Sequence, residues 1–206
     1  PIRKESRGDS IPPSGLPKIA IIIDDIGYNR ILAKKFIDLD ADITLSVLPY
    51  GPFRKSILKD AGEKGVAVML HLPMEPKEYP QVKPGLGALL ESMSPDELIS
   101  HLRQNLDSIP SAVGANNHMG SRITENSSRM NQIFTVLKQR GLFFVDSRTT
   151  MKTTCRQSAR LLKVPFGQRD VFLDHILEKG SVGREMERLV SIAVENGFAI
   201  GIGHPH

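Results

Sequence analysis

Two adjacent carboxylates, Asp24 and Asp25, close the apolar run Ile19 to Ile23 and lead into Ile26-Gly27. Burying even one unpaired charge is expensive, so a pair at the end of such a run marks either chemistry or the cap of a following helix. Capping needs only one of them. Other apolar runs end in the same way. His71 closes one and is followed by Leu-Pro-Met-Glu75; a second runs into Asn116-Asn117-His118, and a third into Asp146-Ser147-Arg148. Further on come Arg169, Asp170 and Asp174, and the last run ends in His204-Pro205-His206. Carboxylates and imidazoles are ligands suited to Zn²⁺ and its neighbours. An Asp/His/His set with an open position would turn a water into a nucleophile near neutral pH. The second aspartate could serve as general base, and a histidine from another run could protonate the leaving group.

Each residue also has a plain structural explanation. His71 could be a satisfied core histidine, and His118 could be held by Asn116 or Asn117. Asp146 could cap a turn, while Arg148 or Arg169 could pair with Asp146 or Asp174. His101 falls in the middle of a helical pattern and His175 in a loop, and both are expected at the surface. Four of the six histidines, however, lie in or directly after the end of an apolar run. If those ends converge, a metal or acid–base site follows.

The elements that would make them converge are legible as a pattern. Strand-like runs occupy 18–24, 42–48, 66–72, 112–118, 142–147, 162–167 and 198–204. Helical spacing fills most of the gaps, over 29–38, 53–63, 127–140 and 183–196. Ser94-Pro95-Asp96-Glu97 is a capping box with proline at the first helical position, opening a helix to about Leu106. Gly141 and Gly197 are stop signals. Seven apolar strands alternating with helices predict a parallel α/β fold, either a barrel or an open sheet, and in both the carboxyl ends of the strands share one face. No glycine-rich phosphate loop follows the first strand, which argues against an open nucleotide-binding sheet.

The 206 residues are enough for a single domain. A polar head rich in Pro, Ser and Gly, residues 1–17, reads as a flexible tail or linker, and the domain as 18–206. The net charge of +4 is spread along the chain and there is no Trp, so nucleic-acid binding is not expected. The lone Cys155 excludes an internal disulfide. No window reaches the length of a membrane span and no signal peptide is visible. The chain begins at Pro1 rather than Met and reads as a fragment, with room for a membrane tether upstream and an extracytoplasmic location; no obligate protein partner is evident.

Asp24-Asp25-x-Gly27, His71-x-x-x-Glu75, Asn117-His118-Met119-Gly120-Ser121, Asp146-Ser147-Arg148-Thr149 and Gly203-His204-Pro205-His206, in that order, resemble the divergent polysaccharide deacetylases, a branch of the NodB-like carbohydrate esterases. The resemblance covers essentially 18–206. It implies a distorted (β/α)7 barrel, a divalent metal, usually zinc, and hydrolysis of an acetyl group on a carbohydrate or cell-envelope glycan. Carried over by motif, Asp24 matches the base, Asp25 and His71 match metal ligands, and His204 matches the general acid. The family's second histidine is replaced by Glu75, so either Glu75 or His118 completes the metal site. Arg169 and Asp174 loosely match the residues that orient the base. Glu75, Asn117, Asp146, Arg148, Arg169 and Asp174 are the expected substrate-side residues. The Arg-x-Pro-Tyr motif is absent, which leaves a rival expectation: a catalytically inactive glycan- or envelope-binding module on the same fold.

Overall fold

The computed structural model describes residues 15–176, 178 and 180–205. The expected tail therefore lies outside the described residues up to position 14, as does His206. The chain alternates β1 (Lys18–Ile26), α1 (Arg30–Ile37), β2 (Ile43–Val47), α2 (Arg54–Lys64), β3 (Ala67–Met74), α3 (Pro95–Ser108), β4 (Gly114–Met119), α4 (Ser127–Gln139) and β5 (Phe143–Asp146). It continues through α5 (Cys155–Leu162), β6 (Phe166–Gln168), β7 (Val171–Phe172), α6 (Ser181–Asn196) and β8 (Phe198–Gly203).

The eight strands among the described residues are all parallel, in the order β6-β5-β4-β3-β2-β1-β8-β7. The two edges of this sheet are consecutive in the chain. Residues 166–168 pair with β5 and 171–172 pair with β8. Between them the Arg169 amide donates to Asp146 O and the Asp170 amide to Ile200 O. One broken stave thus joins both edges, giving a distorted (β/α)7 barrel with seven staves and eight strands. The break is what the sequence pattern did not reveal, since a two-residue strand has no periodicity to read.

The strand expected over 162–167 is corrected in the same region. Leu162 ends helix α5, Lys163 takes a left-handed conformation (φ 57°) at its C-cap, and Pro165 has no N–H to give a ladder. The strand begins only at Phe166. Helix α5 itself was not anticipated. The capping box of α3 forms as expected, with both reciprocal hydrogen bonds present. Neither Asp24 nor Asp25 caps α1: Asn29 does, its side chain accepting from the Leu32 amide at 3.0 Å. His101 and His175 are exposed, as expected.

The core has two compartments separated by the strands' pleat. One face of each strand packs against the helices, through Leu45, Val47, Leu70, Leu72, Ala115 and Phe144. The other face fills the lumen with Ile22, Met69, Val145 and Ile202. Alternate residues along a strand share a face. The residues two positions beyond three of these lumen side chains are Asp24, His71 and His204. The pleat therefore carries the apolar floor of the barrel up into a polar layer at the strands' carboxyl ends. Among the described residues, no helix is long and apolar enough to cross a membrane.

Candidate metal and acid–base site

Neighbours on a regular strand point to opposite faces, yet both acids of the Asp24-Asp25 pair reach the site. The register with β2 explains it. Ile23 pairs with Leu45 and Ile26 with Val47, so three steps on β1 match two on β2. Asp25 sits in this bulge at φ 55°, a left-handed conformation that aspartate tolerates better than most residues. Asp24 keeps its place in the lumen and Asp25 is turned over it toward β3 and β4.

The Asp25 Oδ1 atom lies 3.1 Å from His71 Nε2 and 2.9 Å from His118 Nδ1, and the two imidazole nitrogens are 3.1 Å apart. His71 is buried in β3, and His118 is partly exposed at the end of β4. Asp25 Oδ1 is buried and accepts no well-directed hydrogen bond, although both nitrogens stand beside it. With the lone pairs of both imidazoles turned inward, three electron-pair donors would face one another, an arrangement that a cation between them relieves. A tetrahedral zinc site with bonds of 2.0–2.1 Å separates its ligand atoms by about 3.3 Å, close to the spacing seen. The donor set therefore fits a divalent ion. These three residues form a candidate metal site, completed on the histidine side by His118 rather than Glu75.

Behind these three residues is a network that the sequence pattern does not assign. Asn116, fully buried in β4, donates from Nδ2 to Asp24 Oδ1 at 2.7 Å. Its Oδ1 is 2.8 Å from His71 Nδ1 and accepts from Ser46 Oγ at 2.6 Å. A carboxylate only accepts, so the amide nitrogen must face Asp24 and the carbonyl must face His71. His71 then carries its proton on Nδ1, leaving the Nε2 lone pair toward Asp25 and His118, the tautomer that a metal ligand requires. One signal was available: Ser46 lies in the mostly apolar β2, and Asn116 opens the polar run Asn116-Asn117-His118 near the end of β4.

The charges differ sharply across this cluster. Burial pushes the Asp24 carboxyl up, and the nearby imidazole of His71 and the Asn116 hydrogen bond only partly offset it. Burial also opposes ionisation of Asp25, but the imidazoles of His118 and His71 outweigh it and hold that carboxyl well below its usual range. His71 is raised: burial alone would lower it, and the charges of Asp24 and Asp25 win.

His204 stands across the opening from this cluster. Its Nδ1 is 3.1 Å from both carboxylate oxygens of Asp174, and its backbone amide also donates to Asp174 Oδ2. That carboxylate raises the imidazole's pKa against the opposing effect of partial burial. Phe172 packs near the His204 ring, with centroids 5.8 Å apart, and carries the Arg169 guanidinium 3.5 Å from its own ring centre. Arg169 donates to the carbonyls of Ser147 and Arg148, and burial pulls its pKa down to about 10. Phe172 was missed because the strand that holds it was missed.

The remaining expected site residues are engaged elsewhere in the framework. Glu75 accepts from the Glu91 amide at 2.7 Å and pairs with Arg122 at 3.2 Å, away from the three ligands. Asn117 faces the opposite way from Asn116, donating to Met119 O and accepting from the Ser147 amide. Asp146 ties down the loop after β5 through the Arg148 amide and the Thr153 hydroxyl. Arg148 lies in that loop at φ 51°, its guanidinium 3.6 Å from Met151 Sδ.

A cleft of about 410 Å³ opens over Asp25 and His118, lined also by Tyr28, Leu48 and His204. A larger depression of about 680 Å³ lies at the amino ends of β1 to β3 and contains none of the ligand or acid–base groups; chemistry, not size, identifies the site.

The profile of a family described as divergent polysaccharide deacetylase matches residues 21–206. Protein YibQ of Escherichia coli strain K12 is 35% identical over 190 residues, covering 92% of this chain and 59% of that protein. A Haemophilus influenzae protein is 31% identical over 188 residues, covering 91% of this chain and 66% of its own length. The chain thus spans roughly three fifths to two thirds of the curated relatives it matches. A crystal structure of a protein from Agrobacterium tumefaciens C58 superposes with a TM-score of 0.89 at 27% identity, covering 94% of this chain and 80% of the other.

Proposed function

The chain belongs to the divergent polysaccharide deacetylase family, and on that premise we propose that it is a metal-dependent hydrolase removing acetyl groups from a carbohydrate, a cell-envelope glycan being the class of substrate. The observation that carries this reading is the convergence of Asp25 Oδ1, His71 Nε2 and His118 Nδ1 within 3.1 Å of one another, next to a separate buried carboxylate.

Asp25, His71 and His118 would hold the ion, with zinc the best match to one carboxylate and two imidazoles. Bound there, the ion would supply Lewis-acid polarisation of the acetyl carbonyl and a lowered pKa for water. Asp24 takes the proton of the attacking water; burial has already raised its affinity for a proton. Asn116 holds that carboxylate through Oδ1 while fixing the His71 tautomer. His204, whose hold on its proton Asp174 strengthens, delivers a proton to the departing amine or hydroxyl. An envelope glycan as substrate goes with an extracytoplasmic location.

A second reading, a glycan-binding module without turnover, has one observation in its favour: Glu75, which occupies the family's second-histidine position, is bound to Arg122 and the Glu91 amide. Acetate release from acetylated glycans separates the two. The hydrolase reading expects release that stops with chelator and falls at least about 100-fold in Asp24→Asn, the scale of lost general-base catalysis. Glycan binding with no acetate released, in the presence of added zinc, would establish the second reading instead.

A further inference from the structure

The apolar floor of the lumen is made by Ile22, Met69, Val145 and Ile202. Three of them lead, two residues on, to Asp24, His71 and His204, and Val145 leads to Ser147. The same alternation therefore places Ser147 in the polar layer above the floor. Ser147 is 2% exposed, and its Oγ has no hydrogen-bond partner among the described residues. A hydroxyl both donates and accepts, and burying one unpaired is unfavourable, so such a group calls for a partner. The hydrolytic steps above do not use it.

Two arginines adjoin Ser147. Arg148, the next residue, stands at φ 51°, a left-handed conformation that glycine takes freely and a residue with a Cβ takes at a cost. Backbone held in this way points to work for the side chain. The Arg148 guanidinium lies 3.6 Å from Met151 Sδ and forms no ion pair among the described residues. Arg169 reaches over from the broken stave, donating from Nε to Ser147 O at 2.8 Å and from Nη2 to Arg148 O at 3.2 Å. Burial, and after it the charge of Arg148, pull the Arg169 pKa down to about 10. Asp146, Asp170 and Asp24 offset that only in part, and none of them forms an ion pair with Arg169. Both arginines are partly exposed. Arg169 lies over Phe172, which packs near His204, so the pair stands on the His204 side of the cleft. Two guanidinium groups pressing on each other beside an unpaired hydroxyl suit an anion: its charge relieves the repulsion, and its paired oxygens match the planar forks.

We propose that Ser147, Arg148 and Arg169 form an anion-binding corner beside the cleft, so that the sugar to be deacetylated carries a carboxylate or phosphate group. The inference rests on the carbohydrate reading of the cleft. The test gives zinc-loaded protein neutral N-acetylglucosamine and three anionic derivatives of it: the 3-O-lactyl carboxylate, the 6-carboxylate and the 6-phosphate. Acetate release and calorimetric binding are measured in parallel. At least one anionic sugar should exceed the neutral one about tenfold in kcat/KM, or in affinity if there is no turnover, the scale of one charge-assisted contact. Which derivative does so separates carboxylate from phosphate. The preference should shrink as sodium chloride is raised. Arg148→Gly and Ser147→Ala should each remove most of it. Neither should lower the unfolding temperature, because glycine suits the left-handed backbone and the Ser147 hydroxyl bonds to nothing in the fold. A lowered unfolding temperature with the preference intact would make both framework residues and overturn the corner. Equal handling of neutral and anionic sugars, with acetate released, would also overturn it and leave a deacetylase of neutral sugars. An anionic preference in binding without acetate release would keep the corner and overturn the hydrolytic reading. Binding of none of these sugars would overturn both.

Discussion

Two adjacent aspartates in an unfolded chain titrate almost alike; in the folded barrel Asp24 is pushed up by burial, while Asp25 is held down by the imidazoles of His118 and His71. Separating the pKa values of paired carboxylates is a physical route to giving them different roles, in the proposed mechanism a proton acceptor and a ligand. The pair itself was visible in the sequence as charge at the end of an apolar run. The difference between its members was not, because it depends on a bulge and on histidines 46 and 93 positions further along. His204 offers the sharpest residue-scale prediction. Its folded pKa is raised above 6.5 by Asp174. Its contribution to stability is therefore complete below about pH 6.5 and lost as pH rises through the folded value. In the proposed role of protonating the leaving atom, it would give kcat/KM an alkaline limb at that same folded value. Asp174→Asn removes the carboxylate that raises it, so the limb should move to lower pH. A kcat/KM profile in which the limb stays fixed, or moves up, would remove His204 from that role.

The elements position the site by small departures from regularity that patterns of hydrophobicity do not encode. The strand ends were legible because each apolar run stops at a polar group. The bulge in β1 was not, since three residues facing two on β2 leave no trace in composition. Asn116 and Ser46 are visible in the sequence as polar residues of β4 and β2, but what they do depends on distances of 2.6–2.8 Å between strands. The broken stave at 166–172 changes partners from β5 to β8 within a few residues, so its pattern points to one strand placed slightly too early. The close approach of Gly27 and Gly51 is the element-scale feature most open to test. Gly51→Ala forces a Cβ to within 2.7 Å of backbone, and backbone cannot swing away as a side chain can. Denaturant unfolding should show a loss of about 1–3 kcal/mol. Catalysis should suffer beyond that loss, because the loops carrying Tyr28 and Tyr50 must separate. Unchanged stability would mean that the two loops are not clamped there.

For the molecule as a whole, the fold class was legible from alternation of apolar runs with helical spacing, and the barrel rather than an open sheet came from the resemblance of ordered motifs. The meeting of residues 25, 71 and 118 was an expectation of topology, since parallel strands bring their carboxyl ends to one rim; the choice of His118 over Glu75 needed coordinates. Glu75 is bound to Arg122 and the Glu91 amide, and only that shows why it does not stand with the two histidines. Hydrolysis by the proposed route depends above all on that meeting point holding a metal. Elemental analysis of the purified protein, after zinc loading and removal of excess, tests it directly. The arrangement predicts about one divalent ion per chain, with Asp25→Asn and His71→Ala each losing most of it while remaining folded by circular dichroism. Full metal content in both variants, or none in the parent protein after loading, would contradict the site and with it the hydrolytic mechanism.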